Sequence, residues 1–215
     1  MEKLVVVTTN KNKVERMQRL LKEEPYEIVA LGDVFNEKIE EPDEIFENGL
    51  DNAIIKSTYY VDYVEEGTLV LSEDDTIEFV GINEEDDPKG HIKRPVVKKY
   101  GSFTDENAAN YYKDLAAKYG GSIPMNFRYG HSIAVKTSDS KNFKKVLAKS
   151  STLESRLVNE VYKLEKRPGY FLASLMEVLV DGKWVKYNDL SDAELVKLDY
   201  DLYDSIKYML NEIKK

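Results

Sequence analysis

Leu4-Val5-Val6-Val7-Thr8-Thr9-Asn10-Lys11-Asn12-Lys13 opens the chain with a short apolar run, rich in β-branched residues and closed by a polar segment. Leu4 to Thr8 has the length and branching of a buried strand, and Thr9 to Asn12 is the turn that leaves it. From about Lys13 to Glu24 the apolar residues fall at helical spacing, with Val14, Met17, Leu20 and Leu21 on one face. Tyr26 to Ala30 then reads as a second strand. A buried strand, a turn, an amphipathic helix and a further strand are the start of an α/β sheet.

The pattern continues outward from this unit. Asn36 to Glu44 is an acidic loop containing Pro42, and a helix is expected from about Glu44 to Tyr63, carrying Ile45, Leu50, Ile54, Ile55 and Tyr59. Leu69 to Ser72 reads as a buried strand ending in Glu73-Asp74-Asp75-Thr76, with Ile77 to Ile82 extended after it and a charged loop from Asn83 to Gly90. Asp105 to Tyr119 is helical in pattern. Asn126 to Lys136 alternates as a strand, and Phe143 to Val158 is a second long extended stretch. Tyr170 to Val180 is apolar, Asp181-Gly182 is a hairpin turn, and Trp184 to Tyr187 returns as a strand. One amphipathic helix is expected from about Asp192 to Lys214. There is no internal repeat.

A chain of 215 residues with 42% hydrophobic residues can bury a sizeable core. The absence of cysteine excludes a disulfide scaffold, a thiol nucleophile and a cysteine zinc site. A net charge of −9 argues against binding long nucleic acid through a general positive field, but it leaves room for a small polyanion if a few lysines converge. Met1-Glu2-Lys3 runs straight into a strand with no secretory pattern, and no apolar run approaches a membrane span, so a cytoplasmic location is expected.

Three constellations carry chemistry. Thr8 to Lys13 lies where a buried strand hands over to a helix, a place where outward N–H groups and the helix dipole favour an anion; Asn10 can fix the turn or donate to phosphate, and Lys13 can reach it. Glu37, Glu40, Glu41, Asp43 and Glu44 crowd one loop, a run that is equally an ordinary solvated acidic loop, while Glu73, Asp74 and Asp75 crowd the expected end of a strand. Ligands of open α/β sheets bind at such ends, and adjacent carboxylates repel unless a cation such as magnesium shares the site. Asn52 and Lys56 lie one helical turn apart on one face, and Lys93 follows in Gly90-His91-Ile92-Lys93-Arg94. His91 and His131 are the only histidines and read as structural or exposed, not as a metal pair.

The order of these features resembles the inosine triphosphate pyrophosphatase family, the non-canonical purine nucleoside triphosphate pyrophosphatases. The family's Thr-x-Asn-x-x-Lys turn corresponds to Thr8-Thr9-Asn10-Lys11-Asn12-Lys13, its acidic loop to Glu37–Glu44, and its Asn-Ala-x-x-Lys helix to Asn52-Ala53-Ile54-Ile55-Lys56. Its strand ending in two acids and Ser or Thr corresponds to Asp74-Asp75-Thr76, the segment after that strand to Gly90-His91-Ile92-Lys93, and a later Glu-x-Glu-Gly-Arg-Ile strand to Thr152–Leu157. Where the family usually has a glutamate three residues after the turn lysine, this chain has Arg16.

The resemblance implies a mixed α/β fold, with a long twisted central sheet and two lobes with a cleft between them, formed by residues 1–215 as one domain, and a homodimer. It implies magnesium-assisted hydrolysis of a nucleoside triphosphate to the monophosphate and pyrophosphate. Asp75 would be the general base or its closest partner; Asp74, Asp75, Glu37 and Glu41 would be the metal residues; Thr8, Asn10, Lys13, Asn52, Lys56 and Lys93 would bind the substrate. The base-reading segments depart from the family: no Asp-Pro follows Tyr170-Phe171, and Asp199-Tyr200-Asp201 stands where Ser-His-Arg is expected. Carboxylates there favour an amino-bearing base, because an ionised carboxylate accepts hydrogen bonds and donates none; the alternative is a shifted register of the last helix, with these aspartates facing solvent as charged residues of an amphipathic helix usually do. The rival reading is a catalytically silent nucleotide-binding or sensor protein on the same scaffold.

Overall fold

The computed structural model describes residues 2–35, 40–43, 46–138 and 144–215, with the backbone alone at 144 and 145. Seven strands form one mixed sheet: β1 (Glu2–Val6), β2 (Tyr26–Ala30), β3 (Leu69–Phe79), β4 (Ser122–Lys136), β5 (Lys144–Val158), β6 (Met176–Val180) and β7 (Lys183–Lys186), in the order β2-β1-β3-β4-β5-β6-β7. The helices are α1 (Lys11–Leu20), α2 (Leu31–Val34), α3 (Gly49–Tyr60), α4 (Lys93–Tyr100), α5 (Asp105–Lys118), α6 (Asp192–Leu198) and α7 (Tyr200–Ile213). The expected α/β class and mixed sheet are what the chain adopts. No helix among the described residues is long and apolar enough to cross a membrane.

The chain forms two compact units. The first contains residues 1–76, 129–151 and 199–215; the second contains 77–128 and 152–198. In the first, β1 runs parallel to both neighbours, with Leu4 opposite Ile28 and Leu69. A parallel pair needs a crossover, which α1 supplies between β1 and β2. A strand flanked on both sides and covered on both faces must be apolar at every position, and Leu4, Val5, Val6 and Val7 are all buried.

The pleat divides this unit into two layers. Val5, Val7, Val70 and Ala134 pack with Tyr60 and Val61 at the end of α3. Continuing at period two along β3, Ser72 donates to the Ala53 carbonyl of α3 and Thr76 Oγ1 accepts from Gly49 N at 2.7 Å. On β4, Ser132 Oγ bonds Ser57 Oγ of α3 at 2.8 Å. The alternate residues of these strands face the other way, toward α1.

In the second unit, Tyr112 of α5 stacks between Phe79 and Phe171, with ring centroids 5.9 and 5.5 Å away, and its hydroxyl donates to the Ile92 carbonyl at 2.9 Å. Asp181 and Gly182 both take positive φ, 49° and 77°, and close the β6–β7 hairpin as the sequence pattern required.

Several elements differ from the sequence reading. The acidic triplet does not end a strand, because β3 continues through it to Phe79. The helix expected from Glu44 begins at Gly49, where Asn48 caps it by accepting from Asp51 N at 2.9 Å. The helix α4, overlooked in the sequence, is stopped by Gly101 in the left-handed region at φ 76°. The single C-terminal helix is two, α6 and α7, which break at Asp199.

The start of α3 sits directly on the strands. A Cβ on Gly130 would meet Leu50 N at 2.3 Å and Gly49 C at 2.4 Å, and one on Gly49 would meet the Asp74 carbonyl oxygen at 2.4 Å. Gly130→Ala must therefore lift α3 from β4. Overpacking of this kind costs roughly 1–3 kcal/mol, and each kcal/mol lowers the unfolding midpoint of a chain this size by about 2–4 °C. A thermal melt of Gly130→Ala indistinguishable from the parent would show that α3 does not press on this strand.

Candidate active site

The turn after β1 organises the site. Asn10 caps α1, its side-chain oxygen accepting from Asn12 N at 3.0 Å, while its own N–H donates to Thr8 Oγ1 at 3.1 Å. Thr8 and Asn10 thereby set the angle at which α1 leaves the sheet. Lys13 and Arg16, three residues apart, lie along one ridge of α1 and reach β3. Lys13 Nζ lies 3.1 Å from Asp75 Oδ2 and 3.7 Å from Glu73 Oε1, and it donates to the Glu73 carbonyl at 3.2 Å. Arg16 Nη2 pairs closely with Glu73 Oε1 and stands 3.7 Å from Asp75 Oδ1. The Arg16 guanidinium also lies 4.7 Å from the ring centroid of Tyr129.

Two cations and two anions are thus gathered in a mostly buried cluster. Burial opposes every charge in it, and the pairing decides which survive. For Glu73 burial wins over Arg16, and its carboxyl is pushed up to about 7. For Asp75 burial is outweighed by the Lys13 and Arg16 charges, and its carboxyl is held below the ordinary range. Lys13 is likewise raised despite its burial, by Asp75 and Glu73.

Asp74 belongs to the opposite layer. Asn52 Nδ2 donates to its Oδ2 at 3.1 Å and Lys56 Nζ lies 3.4 Å from its Oδ1. Asn52 also fixes the chain ahead of α3, accepting from Phe46 N at 3.1 Å and donating to Phe46 O at 3.0 Å. Asp74 and Asp75, both expected as metal residues, are thus placed in different layers. Adjacent residues of an extended strand point to opposite faces, so Asp74 serves α3 and Asp75 serves α1.

The other expected residues fall as follows. Glu41 is exposed and near Tyr60, whose phenol is pushed up by burial and by that carboxylate. Glu37 lies outside the described residues. Lys93 opens α4 in the second unit, its ammonium 5.7 Å from the Phe103 ring centroid. Asp199 is buried with Arg19 Nη2 at 3.8 Å, and Asp201 is exposed. Arg16, Glu73 and Tyr129 are functional candidates that the motif reading passed over. The signal was present for Glu73, two positions from Asp75 on a strand and hence on the same face.

Among the described residues no group of three or more carboxylate or imidazole side chains converges as a metal site. One observation nonetheless suits a hard cation: Asp75 Oδ1 is buried with no N–H or O–H donor of the described residues bonded to it, its side chain being hydrogen-bonded only to Lys13 and to the Glu73 carboxyl. Magnesium requires only one or two carboxylates when phosphate oxygens complete its shell, so Asp75 is chemically suited to be a ligand.

The profile of the Ham1 family matches residues 4–144. No curated protein matches the chain. Among solved structures, a HAM1 protein from Coxiella burnetii superimposes with a TM-score of 0.68 at 14% identity, over 99% of this chain and 100% of that one. The Ham1 protein of Staphylococcus aureus gives 0.58 at 17% identity, over 99% and 98%. A nucleoside-triphosphatase / dITP/XTP pyrophosphatase from Mycobacterium abscessus gives 0.58 at 15%, over 96% and 97%. At these identities the structural likeness establishes the fold.

His131 borders the cluster on the α1-facing side of β4 and is fully buried. Burial, with Arg16 adding to it, pushes its imidazole down to about 4 from an ordinary 6.5. A depressed folded-state pKa means the unfolded chain binds the extra proton, so the stability due to neutral His131 is present above pH 6.5 and is lost as pH falls through 4. Glu73, raised from 4.5 to about 7, acts in the opposite sense across much of this window, but it is common to parent and variant. Between pH 7 and pH 4 the parent should therefore lose about 3 kcal/mol more stability than His131→Gln. Denaturant unfolding at the two pH values measures this, and equal losses would show that the ring carries a proton in the folded state.

Proposed function

The chain belongs to the Ham1 family, and from that premise we propose that it hydrolyses a nucleoside triphosphate between the α and β phosphates, releasing the monophosphate and pyrophosphate. This is the family toward which the sequence motifs pointed. The observation that carries the proposal is the contact of Lys13 Nζ with Asp75 Oδ2 at 3.1 Å where α1 begins. It joins a cation suited to a phosphate with a carboxylate kept ionised by its neighbours.

Chemistry of this kind is mostly positioning and charge neutralisation. In the free protein Lys13 is shared between Asp75 and Glu73. A triphosphate arriving at the α1 end draws Lys13 toward its own oxygens. Asp75 then loses part of the field that held its carboxyl low, and its basicity rises as the substrate is seated. The same carboxylate takes the proton from the attacking water. Thr8 and Asn10 hold the turn, and Asn52 and Lys56 are further substrate residues of this reading, as Lys93 is by the resemblance alone. Asp75 would help to hold magnesium, which would supply neutralisation of the phosphate charge when bound, and Glu37 and Glu41 of the acidic loop are the further metal residues that the resemblance implies. The homodimer belongs to the same reading.

The substrate class is a non-canonical or modified purine nucleotide, as the resemblance implies; the Mycobacterium abscessus protein is named for dITP and XTP. The preference for an amino-bearing base rested on Asp199 and Asp201 as free acceptors. Asp199 is engaged by Arg19 and Asp201 is exposed, so that preference is not carried forward.

Asp75→Asn keeps the side-chain shape and removes the base, and pyrophosphate release with magnesium should fall about a hundredfold or more. Lys13→Ala should weaken triphosphate binding by about 1.5–3 kcal/mol while leaving nucleoside binding unchanged. Pyrophosphate release over a panel of purine triphosphates, with calorimetric titration of triphosphate and nucleoside, tests both. A parent that binds triphosphate and releases no pyrophosphate supports the silent binding protein instead, and an Asp75→Asn variant as fast as the parent removes Asp75 from catalysis.

A further inference from the structure

Arg16 and Glu73 stand beside the reacting carboxylate of the proposed mechanism. Arg16 and Glu73 are buried side chains, 7% and 2% exposed, and they pair with each other. Arg16 Nη2 is also 3.7 Å from Asp75 Oδ1, outside hydrogen-bond range, while the Glu73 and Asp75 carboxyls are themselves hydrogen-bonded. Asp75's other oxygen is already held by Lys13 at 3.1 Å. A guanidinium presents several donors in a rigid fork and seeks a carboxylate. Two carboxylates lie within its reach on one face of β3, and it is bonded to one of them.

We propose that Glu73 is a positioning residue: its side chain captures the Arg16 guanidinium and so keeps that cation off Asp75, the reacting carboxylate. The role rests on Asp75 being the reacting carboxylate, as proposed above. Without Glu73, the nearest carboxylate to Arg16 is Asp75. Asp75 would then be held at one oxygen by Lys13 and at the other by Arg16, a bidentate clamp that stabilises the ionised form and blocks both lone-pair faces. Without Arg16, Glu73 is a buried carboxylate whose remaining cation is Lys13, already 3.7 Å from it. Lys13 is then drawn from Asp75 toward Glu73 and is less available to a phosphate. The two single losses thus act on different steps. Losing Glu73 disables the carboxylate, and losing Arg16 diverts the lysine.

The test is a double-mutant cycle on the full chain. Pyrophosphate release from a purine triphosphate is measured with magnesium for the parent, Glu73→Gln, Arg16→Gln, the double variant and Asp75→Asn, each checked by thermal melt. Glu73→Gln is expected to lower kcat roughly tenfold to a hundredfold, the range that one charge-assisted contact commands, with KM little changed. Arg16→Gln is expected to raise KM more than it lowers kcat. The double variant has no charge to capture and none to release, and it should recover kcat to within about threefold of the parent, a coupling far outside additivity. A merely structural pair predicts the reverse, with the double variant at least as impaired as either single. If the singles fail to fold, the double variant alone decides, since a neutral amide pair retains the shape: parent-like kcat supports the proposal and a hundredfold loss overturns it. An Asp75→Asn as active as the parent overturns the catalytic reading itself, whereas an inactive Asp75→Asn beside a parent-like Glu73→Gln overturns only the role of Glu73.

Discussion

The pleat of β3 is the constraint on which the first unit depends. Glu73, Asp74 and Asp75 are consecutive and lie inside a strand, so they cannot share a face. The strand delivers Glu73 and Asp75 to α1 and Asp74 to α3, and each helix must meet them with cations. Lys13 and Arg16 do so from one side, Lys56 with Asn52 from the other. A carboxylate buried without such a partner would neutralise instead of remaining charged. The helices are consequently registered to the strand by charge as well as by apolar packing, and Ser72 and Thr76 extend the same registration along the α3 side with neutral hydrogen bonds.

This arrangement is not obtained by burying charge for stability. A buried ion pair roughly balances its desolvation against its Coulomb attraction, and an apolar pair of similar volume often does as well or better. What the cluster supplies is an exchangeable set of partners. Lys13 has two acceptors on β3 and Arg16 has two carboxylates within reach. An arriving anion can therefore take a cation without leaving a lone buried charge behind, because the remaining partners redistribute. The two carboxyls respond in opposite directions, Glu73 raised and Asp75 lowered, a separation that suits one to structure and the other to chemistry.

Sequence patterning was most informative where a single period dominates. The β-branched run at Leu4–Val7, the alternation of Asn126–Lys136 and the Asp181-Gly182 turn were legible because local geometry requires those residues wherever the chain goes next. The start of α3 was not, because apolar spacing begins earlier than the helix does, and its true start is marked by Asn48 as a cap. The site was legible in its parts, Lys13, Asp75, Asn52 and Lys56 among them. Its division was not: motif order treats Asp74-Asp75 as a unit, while the strand treats them as neighbours on opposite sides. Reading the period-two rule through the motif would have separated them and joined Asp75 with Glu73.

The α6–α7 break falls at a buried charge that helical patterning does not mark. The residues from Asp192 to Ile213 satisfy an amphipathic helix almost throughout, and propensity gives no reason to stop at Asp199. The aspartate is nevertheless almost wholly buried, with Arg19 of α1 at 3.8 Å, and the α6–α7 break falls at this residue. A helix continued without a break through Asp199 would fix that side chain by the course of α6. Ending α6 at Leu198 and starting α7 at Tyr200 frees the orientation of Asp199 from the helix before it. Arg19 is one turn beyond Arg16 on α1, so the ridge that meets β3 through Lys13 and Arg16 meets the start of α7 through Arg19. The same helix that presents the cations of the site thus also anchors the last element of the first unit, and the carboxylate that motif alignment placed opposite a nucleobase is used to hold that helix in place.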